Sequence, residues 1–225
     1  IKSPRHEQQD YCAIAFPLAG DDYLVALVAD GISSVKHAAD ASRLAGESFV
    51  AEVRKQIEKG GKLDLKKVVQ IVNVYLVAES RRKTRELQRE AVNTGQYGVD
   101  FESPAFDYET QMPTTFTGIV IKDRKILSAH LGDSRLYLLS HGLLTQMTTD
   151  ETVAEESRAR GEIDIEPKDE VTLTNWLGGK GAAPVIDEYE AVAGDTWLLV
   201  SDGVHSVLAD DELKDLAVIL QKALK

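Results

Sequence analysis

Hydrophobic and polar positions first alternate along the chain, then repeat with a helical period, then alternate again. Residues 11–16 and 23–29 are short apolar, β-prone runs separated by the turn signal Gly20-Asp21-Asp22, a pattern that predicts a hairpin. From His37 the period becomes helical: Ala38, Ala41, Leu44, Ala45, Phe49 and Val53 share one face, and Gly60-Gly61 ends the run. Asp64 is the expected N-cap of a second helix. Val68, Val69, Ile71, Val72, Tyr75 and Leu76 supply its buried stripe, and the charged run 79–89 its solvated end. Arg81-Arg82-Lys83 reads as part of that solvated face rather than as a phosphate patch.

Residues 94–113 have no clear period. Strands are then expected at 114–121, 125–131 and 135–139, with turns at Lys122-Asp123 and Gly132-Asp133. A short helix over 149–160 leads into a charged stretch ending at Glu170. Strands over 185–191 and 196–200 turn at Gly194-Asp195. A final amphipathic helix over 210–225 carries Leu213, Leu216, Ala217 and Leu220 on one side. Consecutive strands without βαβ alternation favour antiparallel sheets with helices packed outside. The expected fold is therefore α+β: one domain over residues 1–225, an antiparallel β-sandwich flanked by helices on both sides.

Composition narrows the function classes. Hydrophobic residues make up 43% of the 225, enough for a core. The 37 acidic against 26 basic residues give a net charge of −11, which argues against a nucleic-acid partner. No apolar run approaches the length of a membrane helix. The one cysteine, Cys12, rules out an intramolecular disulfide and fits a reducing, cytoplasmic setting. Its place within a strand predicts a small buried hydrophobe. The opening residues are no signal peptide, and a first residue other than Met suggests a trimmed chain.

Three motifs share one design. Ala29-Asp30-Gly31, Gly132-Asp133-Ser134 and Ser201-Asp202-Gly203 each place an aspartate where a strand leaves its sheet, beside a glycine that lets the backbone come close. One such dipeptide is an ordinary turn. Three of them after apolar strands suit hard divalent cations, which prefer carboxylate, carbonyl and water oxygens. The five histidines have no metal-ligand spacing, and His130, on a strand, reads as core. Gly178-Gly179-Lys180-Gly181 lacks the rest of a phosphate loop and reads as a surface turn.

Taken in order, these motifs resemble the type-2C protein phosphatases, the metal-dependent serine/threonine phosphatases. The resemblance starts at Arg5-His6-Glu7-Gln8-Gln9-Asp10, similar to the family's Arg-x-x-Asn-Glu-Asp opening. It runs on through Ala29-Asp30-Gly31, Thr114-Thr115, Gly132-Asp133-Ser134-Arg135, Gln146-Met147-Thr148-Thr149-Asp150 and Ser201-Asp202-Gly203. The run from Ala29 to Ser34 looks like bacterial members that precede a kinase domain.

The resemblance implies that Asp30 bridges two catalytic Mn²⁺ or Mg²⁺ ions, with the Gly31 carbonyl on one and Asp202 on the other. Asp133, with Asp202, would form a looser third site. Arg5 would hold the substrate phosphate through its forked guanidinium. A water activated by the two cations would attack phosphorus. Phosphorylated proteins would be the substrates, a cognate serine/threonine kinase a partner, and residues 151–172 a flap beside the site.

Three features depart from the family's pattern. Gln9 stands where a glutamate is common near one metal, keeping an oxygen but losing the charge. Ile32 replaces a histidine found in some members. The family's closing strand carries an Asp-Asn pair, which is absent here, and only 22 residues follow Gly203. A catalytic domain lacking its C-terminal strand is one expectation. A pseudophosphatase of the same fold, binding partners without turnover, is the alternative.

Overall fold

The computed structural model describes residues 8–18, 22–95 and 110–223. Strands β1 (Asp10–Leu18), β2 (Tyr23–Asp30), β3 (Phe116–Lys122), β4 (Lys125–Leu131) and β7 (Val185–Glu190) form one antiparallel sheet in that spatial order. A second antiparallel sheet has β5 (Arg135–Ser140) between β6 (Leu143–Gln146) and β8 (Thr196–Val200). The expected α+β sandwich is what forms.

Helices α1 (Ala38–Glu58) and α2 (Leu65–Asn93) cover the outer face of the first sheet. Ala41, Ala45, Phe49 and Val53 of α1 meet Val69, Val72 and Leu76 of α2 and the sheet's Val25, Leu27 and Phe116 in the main core. The Phe49 and Phe116 rings lie 4.8 Å apart, a separation at which tilted aromatic pairs add to simple burial. Asp64 caps α2 as expected, its carboxylate accepting from the Lys67 amide at 3.0 Å. The short helices α3 (Val153–Ala159) and α4 (Asp202–His205) follow β6 and β8, and α5 (Asp210–Ala223) packs on the second sheet. No described helix is long and apolar enough to cross a membrane.

Several boundaries move, each for a local reason. The expected strand at 114 starts only at Phe116, because Thr114 pairs with Leu177 and the Thr115 amide donates to the Asp30 carbonyl. The helix expected from 149 starts at Val153, where the Thr152 hydroxyl caps the Glu155 amide. Strand β6 is short and half exposed, and helix α4 is a single turn, so neither leaves a periodic signature. Most of the 94–113 segment lies outside the described residues.

Burial at Cys12 is corrected by the structure: the side chain is exposed. Between the sheets, Ala26, Ile119, Ile126 and Leu136 are buried, with Trp197 and Leu199 against them. Ile14 stands opposite Ala26, and Cys12 opposite Val28, so both face that same interior. The second sheet has three strands against five, and β8 lies over β2. Nothing among the described residues covers β1 on this side: Ile14 is 79% and Phe16 61% exposed. A cleft of about 920 Å³ opens between β1 and the unpaired edge of β8.

Candidate metal centre

The antiparallel order brings the end of β2, the start of β3 and the end of β4 to one edge of the first sheet. Asp10 pairs with Asp30 across β1 and β2. In the second sheet Arg135 pairs with Val200, which sets Asp133 and Asp202 at the same end of the sandwich. Asp30, Gly31, Thr115, Asp133 and Asp202 therefore line one cleft of about 430 Å³.

Hydroxyl groups fix the turns. The Thr115 hydroxyl accepts from the Asp30 amide at 3.0 Å and lies 2.8 Å from the Ser134 hydroxyl, tying two of the aspartate turns together. Thr114 donates to the Asp30 carbonyl at 2.9 Å, and Thr117 to the Ser134 carbonyl at 2.6 Å. His130 is buried between the Thr117 hydroxyl and the Thr149 carbonyl, the core position expected of it. Such satisfied buried networks hold one geometry, because breaking any member leaves a desolvated group unpaired. Gly31 is sterically required: a Cβ there would stand 2.1 Å from the Ala38 carbonyl oxygen at the start of α1.

The carboxylates crowd one another. Asp30 is pushed up to about 9 by burial first, then by hydrogen bonds with Asp202 and Asp10. Asp133 is pushed up to about 6 by burial and by the charges of Asp202 and Asp150. Asp10 also accepts from the Ser201 hydroxyl at 3.2 Å. Behind Asp133, the Gly132 amide donates to Glu151 at 2.8 Å, and Arg135 grips Asp150 through Nε at 2.9 Å and Nη2 at 2.7 Å. His205 meets the Asp133 carbonyl at 3.0 Å, and burial lowers its pKa.

Of the residues singled out in the sequence, Asp30, Gly31, Asp133 and Asp202 come together in this cleft. Arg5 lies outside the described residues. Gln9 contributes its main chain: its carbonyl accepts from the Gly31 amide at 3.1 Å and from the Ser42 hydroxyl at 2.6 Å. Asp10 is the residue that motif reading passed over as a site residue. Its signal lay in hairpin register, since a hairpin centred on Gly20 sets Asp10 opposite Asp30.

An all-oxygen donor set of mutually repelling carboxylates fits hard divalent cations. Among the described residues no group of three or more His, Cys, Asp and Glu side chains forms a ready-made metal cage.

The molecule is thus an α+β sandwich with aspartates converging from strand ends of both sheets on one acidic cleft. A family model described as protein phosphatase 2C matches residues 5–223, and the chain belongs to that family. It is 34% identical over 116 residues to the serine/threonine protein phosphatase PstP of Mycobacterium tuberculosis, a match covering 50% of this chain and 23% of that protein. The crystal structure of the M. tuberculosis phosphatase PstP/Ppp superposes with a TM-score of 0.70 at 27% identity, covering 94% of this chain and 79% of that one. A structure of the PstP catalytic domain in complex with two manganese ions gives a TM-score of 0.68 at 26% identity, covering 94% and 78%. The chain thus spans about a quarter of the full length of the curated PstP relative.

Proposed function

We propose that this chain is a protein serine/threonine phosphatase that hydrolyses phosphoserine and phosphothreonine at a binuclear Mn²⁺ or Mg²⁺ centre. The observation that carries the proposal is the convergence of Asp30, Asp133 and Asp202 in one cleft, with Asp10 hydrogen-bonded to Asp30 behind them. Asp30, the Gly31 carbonyl and Asp202 would hold the two ions, Asp133 a third, and Gln9 and Asp10 would support them. Bound cations supply charge neutralisation for the carboxylates and the phosphate, and they lower the pKa of a nucleophilic water. Arg5 would orient the phosphate by a bidentate grip.

The chain's own residues do the remaining work. Thr115 and Ser134 hold the aspartate turns in register, and Gly31 lets β2 end against α1. Residues 1–225 are taken as one catalytic unit with 151–172 as a flap, and the open edge of β8 supports the expected closing strand there. The exposed free thiol of Cys12 supports a cytoplasmic setting. A cognate kinase would supply the phosphoprotein.

Calorimetric titration with Mn²⁺ tests the centre: saturable binding that Asp30→Asn weakens by at least about tenfold is expected. Absence of Mn²⁺ and Mg²⁺ binding would overturn the proposal. The alternative, a pseudophosphatase, draws on Gln9. It predicts metal or phosphopeptide binding with no phosphate release.

A further inference from the structure

A second, smaller chamber adjoins the aspartate cleft. Its volume is about 300 Å³, and it shares Ile32, Ser34, Val171 and Leu173 with the cleft, so the two are compartments of one depression. Their chemistry differs. The first holds the carboxylates, whereas the second is lined by Val35, Pro113 and Trp176 together with Gln111 and Thr172.

We propose that this chamber seats an apolar side chain of the phosphoprotein substrate, close in sequence to the phosphorylated residue, while the phosphate lies in the aspartate cleft. The inference rests on the phosphatase reading and adds a specificity site to it. Continuity with the cleft decides the occupant, because a chain that places its phosphate among the aspartates must carry neighbouring residues past the shared walls. A volume near 300 Å³ lies at the small end of ligand pockets and suits one aliphatic or aromatic side chain. On a protein of net charge −11 acidic flanking residues are repelled and basic ones attracted, so the apolar preference comes from the chamber's own lining of Ile32, Val35, Pro113, Val171, Leu173 and Trp176.

The walls are already in place. The Ile32 amide donates to the Pro113 carbonyl at 3.2 Å. Thr114 and Leu177, the residues after Pro113 and Trp176, exchange backbone bonds of 3.0 and 2.9 Å. The indole of Trp176 lies so close to Gly179 that a Cβ there would stand 2.8 Å from Nε1. On the flap side, the Val153 amide donates to the Thr172 carbonyl at 2.9 Å, and the Thr174 amide to the Glu151 carbonyl at 2.8 Å. Val171, between the compartments, is 72% exposed, so a seated apolar side chain would remove its surface from water. A preformed wall costs little ordering on binding.

The test is a set of phosphothreonine peptides in a Gly/Ser background, with one Leu moved through each flanking position, assayed with Mn²⁺. One position should raise kcat/KM by about tenfold, the scale of a single well-filled apolar pocket. Val171→Asp and Trp176→Ala should each reduce that preference, measured as the ratio of Leu to Gly peptide, to about twofold or less. Hydrolysis of a small aryl phosphate, which carries no flanking residues, reads the centre separately. Labelled forms of the same peptides, followed by anisotropy, read the chamber without turnover. No Leu-preferring position in either assay, or a preference unchanged in both variants, would overturn the inference. Loss of aryl phosphate hydrolysis with the Leu preference kept in binding would overturn only the phosphatase reading.

Discussion

Gly31 and Gly203 follow aspartates in look-alike motifs, yet the structure makes only one of them indispensable. A Cβ on Gly31 would stand 2.1 Å from the Ala38 oxygen and 2.4 Å from its carbonyl carbon. Ordinary contact begins at 3.4 Å, so the backbone at the end of β2 or the start of α1 must move by roughly 1.3 Å, and no flexible side chain can absorb the shift. At Gly203 the nearest atoms to a Cβ are 3.7 and 3.9 Å away, which is ordinary van der Waals contact. Gly31→Ala should therefore cost about 1–3 kcal/mol of stability as an overpacked site. A displacement of about 1 Å at Asp30 should also cost about 100-fold in kcat. Gly203→Ala should leave stability within about 0.5 kcal/mol and kcat within a few-fold. Urea denaturation of both variants, with aryl phosphate hydrolysis at saturating Mn²⁺, reads the two effects. Equal losses in the two variants, or a Gly31→Ala protein with ordinary stability and turnover, would refute the steric argument.

Other expectations follow from the same network. Thr115→Val keeps the shape but removes the acceptor of the Asp30 amide and the partner of Ser134, so it should cost about 1–3 kcal/mol in urea melts and weaken Mn²⁺ affinity. In metal-free protein the unfolded Asp30 carboxyl ionises near 3.8 while the folded one holds its proton to about 9. The folded state then binds more protons, and stability falls as pH rises between those values. Thermal melts in chelator across that range should show the decline, Asp30→Asn should flatten it, and Mn²⁺ at pH 8 should raise the melting temperature. Cys12 should react with a thiol reagent in the native protein at nearly the unfolded rate, and a strand added along β8 by extension past Lys225 should protect it. A Cys12 protected without any extension would contradict the open cleft.

Much of this was legible in the residues because the strands obey simple alternation. Lys125–Leu131 and Thr196–Val200 have the boundaries that periodicity predicts, and Asp64 caps α2 where a cap was expected. Cys12 shows the limit. Alternation assigns a side chain to a face, but whether the facing sheet extends far enough to cover it depends on the strand count of another layer. Asp10 shows a second limit: its place opposite Asp30 follows from register, which no local motif carries. Glu151, which steadies Gly132 from across the β5–β6 hairpin, carries no short-range signature.

The claim that an acid-lined, metal-dependent centre performs hydrolysis is tested most directly by measuring phosphate release from a phosphothreonine peptide. The chain and its Asp30→Asn variant are compared at saturating Mn²⁺. The account predicts Mn²⁺-dependent release by the chain and a rate at least about 100-fold lower for the variant, with both proteins folded. No release by the chain, or equal release by both, would contradict it.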